Sequence, residues 1–141
     1  MKARVAAIRL KIPDNEAYTA LTALRRLGVE VGRLERAEVW ILNDSGNADD
    51  FGQRVERNES LFNPNKHELD VLTEEHPRDG EVWISEIDAH EHQVRVQQVN
   101  GGRRYVAWRL FAHGHVPAAE AAVRDAVEKL LCNPAIEKAL Y

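Results

Sequence analysis

The sequence predicts an α+β protein with antiparallel sheets in two halves, and three observations predict it. Short alternating apolar runs recur between turn clusters, as strands do. Amphipathic helical stripes are fewer than the strands, with a β-α-β-α-β order in the first half and β-β-β-α in the second. A helix ending in Asn-Pro occurs twice, at Asn63-Pro64 and Asn133-Pro134, with the prolines 70 residues apart in a chain of 141. Proline has no N–H and disfavours helical geometry at the residue before it, so each pair stops a helix. The matching endings predict an internal duplication.

The elements follow in order. Arg4 to Ile12 alternates as a strand, and Pro13-Asp14 precedes a helix with Asp14 as its N-cap. Ala17, Ala20, Leu21, Leu24 and Leu27 form the helical stripe, closed by Gly28. A second strand covers residues 29–42, and Asn43 to Asn47 is a turn. Phe51, Val55, Asn58 and Phe62 mark a second helix, with Asp49 and Asp50 at its positive end. A short strand at 68–72 and a turn-rich stretch at 73–80 end the first half, 1–75, as β-α-β-α-β. The second half, 76–141, reads β-β-β-α. Its strands are 81–87, 93–99 and 103–111, with a polar turn at 88–92 and a hairpin at Asn100-Gly101-Gly102. Pro117 is expected in the first turn of the last helix, whose stripe is Ala119, Ala122, Val123, Ala126, Val127, Leu130 and Leu131.

Composition narrows the class. A hydrophobic share of 44% and a charged share of 30% describe a soluble globular chain, and no apolar run approaches the ~20 residues that span a bilayer. Met1-Lys2-Ala3-Arg4-Val5 leads into a strand with no signal-peptide core. Cys132 has no second cysteine to pair with, which fits a reducing cytoplasm. A net charge of −4 argues against nucleic acid as the main partner.

Groups with catalytic potential each have a plainer explanation. His90, His92, His113 and His115, with Asp88 and Glu91, have metal-ligand chemistry, but they sit in polar, turn-like stretches that read as solvated. Cys132 follows an apolar helix face and reads as a structural thiol. Arg103, Arg104 and Arg109 with Tyr105 and Trp108 read as the solvent face of a strand, and Glu35, Arg36 and Glu38 as a strand rim. Gly101-Gly102 lacks the following helix of a phosphate cradle. No catalytic, cofactor or metal residue is assigned.

The sheet faces carry more information. Trp40 and Leu42 alternate with Val39 and Ile41, Trp83 and Ile87 oppose Val82 and Ile84, and Tyr105 and Phe111 oppose Val106, Trp108 and Leu110. Three helices cover one face of such a sheet. Each tryptophan left bare exposes about 150–250 Å², forgoing roughly 4–6 kcal/mol. The second face is therefore expected to meet another sheet, from the other half of this chain or from a second chain.

The stretch Glu128-Lys129-Leu130-Leu131-Cys132-Asn133-Pro134-Ala135-Ile136-Glu137 closely resembles the ending of the small PurS subunit of phosphoribosylformylglycinamidine synthase, where a helix runs Glu-Lys-Leu-Leu-Ala-Asn-Pro-Val-Ile-Glu. Leu10 to Asp14 resembles that family's first strand end, and Ala23 to Gly28 its first helix end. Arg33-Leu34-Glu35-Arg36 falls where the family has Arg-Val-Gly-Lys, with Glu35 replacing the glycine. Asp14-Asn15-Glu16-Ala17 stands in place of its Asp-Pro-Gln-Gly turn. The resemblance implies two diverged ferredoxin-like, PurS-like copies, at 1–75 and 76–141, with helices on one sheet face and sheet-to-sheet packing on the other. It implies a non-catalytic subunit that forms homodimers or larger assemblies. In that family it bridges the glutaminase and synthetase subunits that turn formylglycinamide ribonucleotide into the amidine with glutamine and ATP. The residues expected at an interface are Trp40, Leu42, Trp83, Tyr105, Phe111, Arg36, Asn133 and Pro134. The alternatives are a standalone small-ligand-binding or regulatory module on the same fold, and a metal-dependent enzyme built on the four histidines.

Overall fold

The computed structural model describes residues 2–87, 95–96 and 99–141. It is an α+β protein with antiparallel strand pairing and three α-helices among those residues. The strands are β1 (Lys2–Leu10), β2 (Arg33–Asp44), β3 (His67–Leu72), β4 (Glu81–Glu86), β5 (Arg95–Val96), β6 (Val99–His113), β7 (Val116–Pro117) and β8 (Glu137–Leu140). The helices are α1 (Asn15–Arg26), α2 (Phe51–Glu56) and α3 (Glu120–Ala126).

The chain divides into two compact units, and the division does not run at residue 75. The first unit is Met1–Pro13, Ala37–Glu75 and Ala89–Tyr105; the second is Asp14–Arg36, His76–Asp88 and Val106–Tyr141. The helix α1 therefore belongs with β4, β8 and α3, although β1, the strand that precedes it, does not. Within the first unit the hydrogen-bonded order is β3-β1-β2-β6; within the second it is β2-β6-β4-β8.

In the first unit the even-numbered face packs under the short helix. Ala6, Ile8, Trp40 and Leu42 form a core with Phe51, Val55, Leu61 and Phe62. Trp40 sits opposite Ala6 in the β1–β2 register, where the small partner leaves room for the indole. The odd-numbered residues Val5, Ala7, Val39 and Ile41 are buried as well. Gly102, within β6, is the second close fit. A Cβ there would lie 2.9 Å from Leu42 Cδ2 and 3.3 Å from Trp40 Cε3, and its φ is +148°. Asn100-Gly101-Gly102 is thus not the expected hairpin turn. Val96 pairs with Val99 and Arg95 with Asn100, so the glycines fall inside the long strand, where one of them clears the core side chains.

In the second unit Val82, Ile84 and Leu110 pack with Leu24 of α1 and Val123, Ala126, Val127 and Leu131 of the last helix. Asp14 caps α1 by accepting the N–H groups of Glu16 and Ala17 at 3.1 Å. Gly28, at φ +84°, closes the helix, and the Val29 N–H reaches back to the Leu24 carbonyl. Residues 29–32 precede β2 instead of joining it. Arg25 holds the carbonyls of Val31 and Gly32, so those groups are satisfied outside the ladder.

Two expectations for the last helix are corrected. Pro117 lies in β7, paired with Phe111 at the sheet margin, and Ala119 is the N-cap. A residue without an N–H is tolerated at such a margin. The helix also widens to a π-turn at Val127–Leu131, where the Cys132 N–H bonds the Val127 carbonyl. The wider turn rotates the stripe, so Leu131 is buried while Leu130 is exposed. The expected polar turn at 88–92 and most of the strand at 93–99 lie outside the described residues. Among the described residues, no helix is long and apolar enough to cross a membrane.

Candidate functional site

The two Asn-Pro endings fold into the same turn. Asn63 accepts the Asn65 N–H on Oδ1 at 2.9 Å, and its carbonyl accepts the N–H groups of Lys66 and His67. Asn133 accepts the Ala135 N–H on Oδ1 at 3.1 Å, and its carbonyl accepts those of Ile136 and Glu137. Each asparagine N–H donates to the side chain four residues on: His67 Nδ1 in one, Glu137 Oε1 in the other, both at 2.9 Å. The asparagine oxygen imitates a backbone turn, and proline at the next position fixes φ for it. Each turn delivers the chain to the outermost strand of its unit. β3 pairs with β1, and β8 pairs with β4.

The matched geometry extends inward. β1 pairs with β2 so that Ala6 faces Trp40, and β4 pairs with β6 so that Val82 faces Trp108. The strand orders β3-β1-β2 and β8-β4-β6 are therefore equivalent, each ending at a long strand.

The residues expected at an interface have different fates. Trp40, Leu42, Trp83 and Phe111 are buried within the chain, with Trp83 at 0% exposure. Tyr105 is half-buried. Arg36 is committed internally: it pairs with Asp14 and Glu16 and stands 6.0 Å from the Trp108 ring. Asn133 and Pro134 are exposed, so of the eight only the turn itself is fully open to a partner.

Arginine-carboxylate pairs mark other places that sequence reading passed over. Asp44, expected in a turn, is instead the last residue of β2 and is buried between Arg54 at 2.6 Å and Arg4 at 2.7 Å. Burial pushes its pKa up, but hydrogen bonds from Arg54, the Gly46 N–H and Arg4 outweigh that and hold it below the ordinary 3.8. Glu38 accepts from the Trp40 indole N–H at 3.1 Å and from Arg104 at 2.8 Å, so the expected strand rim is a bonded one.

In the second unit an open cleft of about 660 Å³ is lined by residues 77–81, Pro117, Ala118, Glu120, Val123, Arg124 and Tyr141. Glu81 is buried on its wall and takes a bidentate pair from Arg78. Arg124 lies 4.1 Å over the Tyr141 ring. Burial raises the Tyr141 pKa against the opposing effect of Arg124, so the phenol keeps its proton at neutral pH.

His113 and His115 are exposed, while His90 and His92 lie outside the described residues. Among the described residues no three metal-ligating side chains stand together. Cys132 is half-buried, and burial followed by the charge of Glu137 raises its pKa, which keeps it a thiol. Compared with models of known protein families, with curated proteins and with solved structures, the chain matches none.

Proposed function

We propose that this chain is a non-catalytic structural or adaptor subunit resembling the PurS component of phosphoribosylformylglycinamidine synthase, made of two diverged ferredoxin-like copies at 1–75 and 76–141. The observation that carries the reading is the pair of Asn-Pro turns, alike bond for bond, each feeding an outermost strand. The equivalent strand orders and the equivalent positions of Trp40 and Trp108 support it. In this reading the exposed Asn133-Pro134 turn and the free edge of β8 are what the chain offers to itself in a homodimer or larger assembly, and to synthetase and glutaminase subunits in the cytoplasm. Tagged protein recovered from its host's lysate should bring down a synthetase or glutaminase subunit, and Asn133→Ala should weaken that recovery. Recovery of neither subunit sinks the proposal.

A second reading is a small-ligand or regulatory module, and the cleft beside Arg78, Arg124 and Tyr141 favours it. Its volume of about 660 Å³ falls within the range of small-molecule sites. A thermal-shift panel of nucleotides and amino acids is the test: a saturable rise in Tm abolished by Arg124→Ala supports this reading, and no response ends it.

A further inference from the structure

In the second unit one arginine stands among charged neighbours and, among the described residues, without an ion pair of its own. Arg33 and Glu35 of β2 and Arg109 and Phe111 of β6 share the sheet face opposite the helices, because Leu34 and Leu110 between them belong to the helix-side core. The guanidinium of Arg33 lies 3.9 Å from the centre of the Phe111 ring and that of Arg109 lies 5.0 Å from it. Two like charges are therefore held over one ring. Their satisfaction differs. Arg33 has the Glu35 carboxylate at 2.9 Å and the Gly114 carbonyl at 3.0 Å. Arg78, the next cation, is bidentate on buried Glu81. Arg109 has the peptide oxygen of Asp79, at 3.4 Å, and among the described residues no carboxylate within ion-pair distance.

The turn beside Arg109 is bonded to its strand. The Asp79-Gly80 turn is pinned to β6 by the Leu110 N–H on the Gly80 carbonyl at 2.7 Å, and a Cβ at Gly80 would strike the Leu110 oxygen at 2.5 Å. Arg109 thus stands half-buried between the Phe111 ring and the Asp79-Gly80 turn. A cation that has lost part of its hydration and has no carboxylate in contact is an acceptor for an anion, and the planar fork suits an oxyanion with two oxygens.

We propose that Arg109, backed by Phe111 and flanked by Arg33 and Arg78, binds a small oxyanion, a carboxylate or a phosphate group. Burial and then the like charge of Arg78 lower the Arg109 pKa from its ordinary value, and a bound anion opposes both. Glu35, Asp79 and Glu81 act on the same guanidinium in the other sense, so the site takes a compact anion and not an extended polyanion.

The test uses the full chain with sodium phosphate and sodium acetate in separate titrations, each against sodium chloride at matched ionic strength. The readout is the backbone amide shifts of Asp79, Gly80 and Leu110. Saturable shifts at millimolar phosphate or acetate are expected, and which of the two acts shows whether phosphate or carboxylate is preferred. Arg109→Met keeps an apolar stem on Phe111 and should weaken binding about tenfold or more. Arg109→Lys, which keeps the charge without the fork, should fall between, and Arg103→Met should bind like the unaltered chain. Equal response to chloride, no response to either oxyanion, or unchanged binding in Arg109→Met overturns the proposal. The site is independent of the adaptor reading, since anion binding and subunit recovery are measured separately.

Discussion

Asp44 shows how one side chain takes its role from its neighbours. Its carboxylate is fully buried and holds two guanidiniums, so removing its charge leaves Arg54 buried and unpaired. Asp44→Asn should cost about 3–5 kcal/mol at neutral pH, read from urea unfolding. The pH dependence has a definite sign. The folded pKa lies below the unfolded 3.8, so the stabilisation is complete above that value and is lost as pH falls through the folded one. The unaltered chain should therefore lose stability below about pH 4, and Asp44→Asn should show a shallower acid limb. Cys132 makes a milder prediction. Burial raises its pKa, so it should react with a disulfide reagent more slowly than an unfolded-chain thiol and at full rate in denaturant.

At the scale of elements, the two Asn-Pro turns and the long strand β6 are the parts to test. If the turns are equivalent units, Asn63→Ala and Asn133→Ala should each cost about 1 kcal/mol, the worth of the side-chain oxygen that accepts the turn's N–H. A large cost at one turn and none at the other would argue against equivalence. Gly102→Ala should cost about 1–3 kcal/mol, because the new methyl meets Leu42 and Trp40 in the core. Gly114→Ala, with open space around it, should cost less, since only its positive φ opposes the change. Comparing chemical unfolding midpoints of the two variants checks the ranking. These elements were unequally legible in the sequence. The Asp14 cap, the Gly28 stop and the helix ending at Asn133-Pro134 were read correctly because each acts through bonds within a few residues. Asn63-Pro64, by contrast, stops no helix, since the expected helix through Phe62 ends at Glu56. The place of Gly101-Gly102 and the phase of Leu130 were misread. A glycine pair signals a turn equally well when its function is to clear a neighbouring strand, and a π-turn has no local marker in this stretch.

The whole molecule is assembled across its own sequence halves. Residues 14–36 complete the unit that holds β4, β8 and α3, and 89–105 complete the unit that holds β1 and β3. Fragments 1–75 and 76–141, expressed apart, should therefore show no cooperative thermal transition, and mixed they should form a 1:1 complex with the far-ultraviolet spectrum of the intact chain. Two fragments that each fold alone would contradict this division. The sequence by itself determined the α+β class, most strand positions, the alternation of each sheet face and the repeated turn, because these follow from periodicity and short-range hydrogen bonding. Only the tertiary structure decided which unit α1 joins, that Trp40, Leu42, Trp83 and Phe111 are covered within one chain, and that Arg36 is spent internally while Arg109, among the described residues, has no carboxylate at ion-pair distance. Alternation states that a side chain faces one side of a sheet. What it meets there depends on residues dozens of positions away, and charge pairing at that range leaves no local pattern to read.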